Sequence, residues 1–213
     1  MKKILFIGIL SILCISASFA QTRFGVTAGL NSSKLSVSGE ENESMDFKAG
    51  LKAGLVADIG ISEKFSIIPE LLFSQRGGKN GTEEMENDKL ETASLILNYM
   101  QLPVNVAYKF DVGYGSKFLI FAGPYLGYGI SGKTKVEASH EGKKESQTYD
   151  LKFGSGDGET KPIDFGINAG IGYQYEKVFF KVQYNHGLSN LNQNPDVKRK
   201  NMNVAVTAGY FFN

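Results

Sequence analysis

Five charged residues interrupt otherwise apolar stretches of the sequence: Lys52, Asp58, Glu70, Lys109 and Lys181. Each lies on the polar parity of a segment in which apolar residues recur at every second position, so its side chain would point away from the apolar face. If the apolar face contacts lipid, these charges are enclosed, and an enclosed charge must be paired or hydrated because an isolated one is costly. We expect an interior polar network that holds the protein's shape; a narrow path for protons or ions is the alternative.

The signs of these five charges predict how they pair. Lys52, Lys109 and Lys181 are cations, whereas Glu70 and Asp58 are the only two anions among the five. Contact between opposite charges lowers the cost of enclosing both. We predict that Glu70 is the partner of Lys181, with Asp58 as the second choice.

Histidine, serine and aspartate near the end of the chain raise a second chemical possibility. His186, Ser189 and a loop carboxylate such as Asp196 could form a hydrolytic arrangement of nucleophile, base and orienting acid. Nothing in their spacing specifies that arrangement, and the other histidine, His140, lies in the longest polar stretch. We expect His186 to be a structural histidine at a strand end and the protein not to be an enzyme; a barrel enzyme acting on lipid is the alternative.

Four shorter motifs carry weaker chemical signals. The glycine pattern GYGISG needs a following helix to bind phosphate, and a charged stretch follows instead. The segment GSGDGE lacks the spaced carboxylates of a calcium loop. The acidic run EEMEND and the basic run KRK are typical of solvated surface, although KRK could contact lipopolysaccharide phosphates and EEMEND divalent cations. We expect no cofactor and no metal. The motifs are GYGISG at residues 127–132, GSGDGE at 154–159, EEMEND at 83–88 and KRK at 198–200.

The beginning of the chain predicts export. Lys2 and Lys3 precede an apolar run that ends near small residues, the order of a secretory signal peptide cleaved after Ala20. Cleavage would remove Cys14, the single cysteine, which excludes a disulfide scaffold or a thiol enzyme. The formal net charge of +1 at pH 7 gives no basic field for nucleic acid. We predict a signal peptide at residues 1–20 and one domain at residues 21–213.

Eight segments after the predicted cleavage site alternate apolar residues with small or polar ones, the pattern of β-strands with two different faces. The joins between them alternate between long polar stretches and short turns such as ISEK, DVGYGS and EK. An even number of strands with long loops at one end and tight turns at the other is typical of bacterial outer-membrane barrels. We therefore predict an all-β fold, an eight-stranded antiparallel up-and-down transmembrane β-barrel, with strands within residues 23–31, 47–61, 65–76, 98–110, 117–130, 164–175, 178–191 and 201–212.

Aromatic residues on the apolar parity cluster at the ends of these segments, as expected for the girdles at the two membrane interfaces. One girdle lies near the short turns and the other near the long loops. The first comprises Phe24, Tyr108, Phe110, Phe118, Tyr173, Tyr175, Phe180, Tyr210 and Phe212, and the second Phe47, Phe73, Tyr128, Phe165 and Tyr184.

Several stretches of this sequence resemble the PorT-type outer-membrane β-barrel proteins, which share the small OmpX-like barrel architecture. The resemblance is carried by RFGVTAGLN, KFSIIPELLFSQR, NYMQLPVNVAY, FAGPYLGY and the closing AGYFF, and it extends over the whole predicted mature chain. Pro69, Pro103 and Pro124 lie where that family carries strand prolines. Because proline cannot donate to a β-ladder and a closed barrel has no edge, we expect β-bulges at these three positions.

The resemblance implies location in the bacterial outer membrane after export, but no single activity. We expect a non-enzymatic protein with a structural role or with loops that bind a surface ligand or an envelope protein. Its other partners would be outer-membrane lipid and lipopolysaccharide. A soluble periplasmic ligand-binding barrel is a further alternative, but it would need an apolar interior.

Overall fold

The structure is a computed structural model that describes residues 22–38, 45–80, 83–85, 89–140, 143–154, 156, 159–193 and 197–213. The predicted signal peptide lies outside these residues. Within them, no helix has the length and apolar character needed to cross a membrane.

Ten antiparallel strands make up the described chain, and eight of them form a closed ring. The ring order is β1–β2–β3–β5–β6–β8–β9–β10, with β1 paired again to β10. The other two, β4 and β7, are short strands added to β5 and β6 at the long-loop end. The predicted eight-stranded up-and-down barrel is therefore confirmed. The strands are β1 (Thr22–Ser38), β2 (Lys48–Gly60), β3 (Phe65–Lys79), β4 (Glu83–Met85), β5 (Lys89–Gly113), β6 (Ser116–His140), β7 (Lys143–Leu151), β8 (Ile163–Tyr175), β9 (Val178–Gly187) and β10 (Lys198–Phe211).

The strands are strongly tilted relative to the barrel axis. Following paired residues once around the ring from Lys109 on β5 leads back to Tyr99 on the same strand, ten residues nearer the long-loop end. A closed barrel requires such a stagger, and its size sets the tilt. Each row of paired residues therefore climbs toward the long loops as it passes from β6 through β8, β9 and β10 to β1.

The apolar parity of every ring strand faces outward. Val182 and Val206 are 46% and 55% exposed, whereas Lys181, next to Val182 on β9, is 8% exposed. The same alternation runs through β8 and β9 without interruption. An apolar exterior around a polar interior is the reverse of a soluble domain, and it suits a wall that contacts hydrocarbon.

Three prolines lie inside the ring, and none of them produces a β-bulge. The pairing register is the same on both sides of Pro69 in the β2–β3 ladder, of Pro103 in β3–β5 and of Pro124 in β5–β6. Each ladder instead skips two residue pairs beside its proline, which has no N–H to donate. Beside Pro124, the Gly123 carbonyl accepts a hydrogen bond from the Asn168 side-chain amide at 3.0 Å. The expectation of bulges at the prolines is wrong.

Register shifts in the β5–β6 ladder lie elsewhere, between Asn98 and Tyr99 and beside the turn that follows Asp111. That turn contains Tyr114 with a φ of 52° and Gly115 with a φ of 74°. A tight hairpin needs this left-handed backbone to match the twist of its strands, and glycine adopts it without strain. The short joins predicted from sequence each connect two neighbouring antiparallel strands.

Apolar side chains inside the barrel form two separate layers. The short-turn layer comprises Val56, Ile68, Ala107, Leu119, Phe121, Phe179 and Phe211. The loop-end layer comprises Leu35, Leu97, Tyr99 and Leu191, packed against Met45, Leu95, Leu151 and Phe153. Polar and charged residues fill the lumen between the layers, and a second polar group lies at the short-turn mouth.

Candidate functional site

Lys181 and Glu70 form an ion pair inside the barrel. The Lys181 Nζ lies 2.6 Å from the Glu70 Oε1, and both side chains are buried. β9 and β3 are not neighbours in the ring, so the pair joins two distant parts of the wall. The ammonium also lies over the Phe179 and Phe121 rings, 5.4 and 5.9 Å from their centroids. The predicted pairing of Lys181 with Glu70 is present.

Asp58 forms ion pairs with two other cations at the short-turn mouth of the barrel. Its carboxylate accepts hydrogen bonds from the Lys109 Nζ at 2.7 and 2.8 Å and from the Arg23 Nη2 at 2.5 Å. Arg23 also donates to the Gln174 side chain at 2.8 Å. Asp58 is therefore not the partner of Lys181. The five predicted interior charges include Lys109 but not Arg23, although Arg23 shares the inner parity of Gly25 and Thr27.

Lys52 is the lysine of the predicted network that forms no ion pair in the described structure. It is 2% exposed, pairs in the ladder with Ser74, and its Nζ finds no hydrogen-bond acceptor among the described residues. The side-chain amides of Gln101 and Asn105 are also buried without protein partners there. Buried polar groups of this kind are ordinarily satisfied by ordered water. Around Lys52, the described side chains therefore leave hydrogen-bonding capacity that water can use.

A second buried ion pair, between Arg76 and Asp164, lies beneath the loop-end layer. The Arg76 Nη1 is 2.8 Å from the Asp164 Oδ2, and both side chains are fully enclosed. Asp164 also accepts hydrogen bonds from Ser189 at 2.7 Å, Asn201 at 3.0 Å and the Tyr125 hydroxyl at 3.3 Å. This cluster joins β3, β6, β8 and β10 to the segment after β9, and it is the most densely connected group in the lumen.

Sequence reasoning missed Asp164 although the signal was present. Asp164 shares the inner parity of Gly166 and Asn168, but it is the first residue of the predicted segment 164–175, where the alternation only begins. Arg76 shares the inner parity of Glu70 and Ser74 and is also absent from the five predicted interior charges. The predicted network therefore lacks Arg23, Arg76 and Asp164.

His186 and Ser189 lie on opposite sides of the barrel wall. His186 faces outward, with its Nδ1 3.4 Å from the Tyr184 hydroxyl. Ser189 points inward to Asp164, and Asp196 lies outside the described residues. The hydrolytic arrangement considered for these residues is therefore not assembled. The side chain of His140 also falls outside the description.

The remaining chemical motifs do not form sites in the described structure. GYGISG is part of the continuous strand β6, with no helix after it to bind a phosphate. In GSGDGE, the Glu159 carboxylate accepts the Gly156 N–H at 2.8 Å. No three His, Cys, Asp or Glu side chains of the described ranges are grouped so that they could hold a metal ion.

A sheet rises beyond the ring at the long-loop end. β5 and β6 each run for 25 residues, and β7 pairs with β6 from Leu151 back to Lys143. The side chains of residues 145–150 are exposed. Among the described strands, β7 pairs with β6 alone, so its second edge has no partner strand. Leu151 and Phe153 anchor this sheet on the loop-end layer.

A family model described as outer membrane protein beta-barrel domain matches residues 19–193. The chain belongs to this outer-membrane β-barrel family. The protein is accordingly an integral protein of the bacterial outer membrane, and the closed ring with its apolar exterior is the part that crosses the bilayer.

Several solved structures of other bacterial proteins are similar to this chain. Ail, the attachment invasion locus protein of Yersinia pestis, is 16% identical, with 89% of this chain and 98% of that chain covered and a TM-score of 0.43. Neisserial surface protein A is 14% identical, covering 89% and 97%, with a TM-score of 0.45. OprG from Pseudomonas aeruginosa is 11% identical, covering 90% and 96%, with a TM-score of 0.35. A comparison with curated proteins gives no match.

Proposed function

We propose that this outer-membrane barrel is a non-enzymatic binding protein that presents the free edge of β7 to a partner outside the cell. We further propose that it is a PorT-type member, carries a signal peptide at residues 1–20, and is inserted with its long loops outward. The single observation that carries the binding proposal is the exposed edge strand, anchored on the barrel by Leu151 and Phe153.

An unpaired strand edge offers a row of backbone N–H and C=O groups to another extended chain. Such β-augmentation takes affinity from the main chain and specificity from alternate side chains. Soluble proteins usually cover or shorten exposed edges because they invite pairing. β7 is nine residues long, and its exposed face includes Tyr149, 55% exposed, next to polar residues. A protein partner with an extended segment therefore fits this surface best.

The lumen supports a structural rather than a conducting role. Two apolar layers cross it, and Lys181, Lys109 and Arg76 each contact a carboxylate instead of lining an open path. Eight-stranded barrels have interiors that side chains largely fill. We propose that the ion pairs Lys181–Glu70, Lys109–Asp58 and Arg76–Asp164 hold the barrel in shape, with Lys52 hydrated between them.

Site-specific photo-crosslinking in the native bacterium tests the binding proposal. A photoreactive amino acid is placed at Gln147 on the β7 edge, and the control carries it at Tyr114, which is fully exposed in a short turn. The proposal predicts one discrete adduct of higher mass at Gln147 and none of the same mass at Tyr114. Adducts at Tyr114 alone, or no adduct along residues 145–150, would reject β7 as the binding edge.

A further inference from the structure

A shallow depression crosses the outer, lipid-facing wall. It has a volume of about 380 Å³ and is lined by Ala122, Pro124, Ile167, Ala169, Tyr184 and His186, with the backbone of β6 and β8 as its floor. Ala122 pairs with Ala169, which pairs with Tyr184, so two small side chains lie beside a large aromatic one. The result is an apolar groove within the part of the wall that contacts the bilayer.

The groove follows a row of paired residues toward the long-loop end. Pro124 pairs with Ile167, Ile167 with His186, His186 with Met202, and Met202 with Lys34. Because rows climb toward the long loops from β6 to β1, the small-residue end of the groove lies deeper in the membrane than Lys34. The row therefore leads from the hydrocarbon to the membrane interface.

Basic side chains surround the upper end of this row. Lys34 and His186 flank Met202 on the two neighbouring strands, and Lys200 lies two residues further along β10 on the same outward parity. Lys198 follows on that parity, and Lys34 also lies 5.2 Å from the centroid of the Phe47 ring at the interface. None of the ion pairs in the described part of the chain involves Lys34, Lys198 or Lys200.

We propose that this part of the wall binds one phosphorylated, acylated glycolipid of the outer leaflet. Lys34 and Lys200 bind its phosphate, with His186 beside them, and one acyl chain lies in the groove between Ala122, Ala169 and Tyr184. The charge supplies the argument for this occupant: the groove is apolar where hydrocarbon would lie, and the cations stand where the phosphates of the outer leaflet would lie. The inference goes beyond the proposed binding edge of β7 and rests on the proposed orientation with long loops outward.

Native mass spectrometry of the folded chain in detergent tests the proposal with defined probes. These are bisphosphorylated lipid A, dephosphorylated lipid A and inorganic phosphate. We expect one lipid A per barrel, and weaker binding of the dephosphorylated lipid. Lys34→Gln with Lys200→Gln should weaken lipid A binding by about tenfold, the scale of two partly exposed ion pairs. The matched control, Lys64→Gln with Lys177→Gln, removes two exposed lysines from the short turns and should leave lipid A binding unchanged.

A second pair of variants tests the groove. Ala169→Phe fills it and should weaken lipid A binding, whereas Ala53→Phe adds the same bulk to the lipid face of β2 and should not. Heat-modified gel migration shows that each variant is folded.

Four results would overturn the inference: equal loss in test and control variants, equal binding of both lipid A forms, phosphate binding without lipid, or a dimer disrupted by Ala169→Phe. A chain lacking β7 should still bind lipid A, so failure of the β7 proposal and failure of this one are distinguishable.

Discussion

Two ion pairs in the lumen connect strands far apart in the ring. Lys181 on β9 reaches Glu70 on β3, and Arg76 on β3 reaches Asp164 on β8. Removing one partner of such a pair leaves the other charge buried and unpaired, which costs far more than an exposed ion pair is worth. At the scale of single residues, the network therefore stabilises the closed shape chiefly through the penalty for disrupting it.

A double-mutant cycle with Lys181→Met and Glu70→Gln should give a coupling free energy of ~0.5 to 3 kcal/mol, because the two groups are in direct contact. Reversible urea unfolding in bilayers measures it. The matched cycle pairs Lys181→Met with Asp58→Asn, whose carboxylate contacts Lys109 and Arg23 instead. That cycle should give a coupling near zero; equal coupling in both would show a diffuse field rather than a specific pair.

Asp164→Ala should destabilise the barrel by ~3 to 5 kcal/mol, because it leaves Arg76 without its carboxylate and removes the acceptor of three further hydrogen bonds. Asp150→Ala, on the exposed strand β7, should stay within ~0.5 kcal/mol. The check is to measure the unfolding free energies of both variants and compare each with that of the unmodified chain. A small effect at Asp164 would mean that water replaces the carboxylate readily.

Inner and outer residues could be predicted from the sequence, but most partners across the lumen could not. Side chains alternate strictly along a strand, so the parity of Lys52, Lys109 and Lys181 follows from their neighbours. Which residues meet across the lumen depends on the stagger between strands, and a stagger leaves no local pattern in the sequence. The Lys181–Glu70 pair was accessible because few acids share the inner parity, whereas Asp164 was hidden at a strand end.

The strands of the ring are held by their ladders and by their apolar outer face. The alternation of apolar and polar residues predicts all eight ring strands, since a tilted barrel strand must present one parity to lipid. The extension of β5 and β6 and the added strand β7 were not predicted, because these residues lack the alternation of apolar and polar positions that marks the ring strands. The prolines were misjudged because a ladder can omit bonds without inserting a residue.

Val206→Arg should destabilise the barrel by ~2 to 4 kcal/mol in bilayers, because Val206 is on the lipid face opposite Leu30. Ser36→Arg lies on the outward parity of β1 opposite Lys200, near the interface, and should cost only ~0 to 1 kcal/mol. Unfolding in vesicles measures both. Equal costs would contradict the assigned depth of the two positions.

At the scale of the whole molecule, we propose that the two apolar layers and the paired charges close the lumen. We expect the reconstituted chain to give no stepwise ion conductance in a planar lipid bilayer. Phe121→Ala with Phe179→Ala removes two rings of the short-turn layer. We expect no conductance from this variant either, because the loop-end layer remains in place. Conductance by the unmodified chain would instead support the narrow-channel alternative.

We propose that the outer-membrane barrel presents β7 to the outside of the cell. Cys14 is the only cysteine of the chain and lies in the predicted signal peptide, so single cysteines can be placed at Gln147 on β7 and at Tyr114 in a short turn. Intact cells are then treated with a membrane-impermeant maleimide. We expect labelling of Gln147→Cys on intact cells, and labelling of Tyr114→Cys only after the outer membrane is permeabilised. Labelling of Tyr114→Cys alone on intact cells would contradict it.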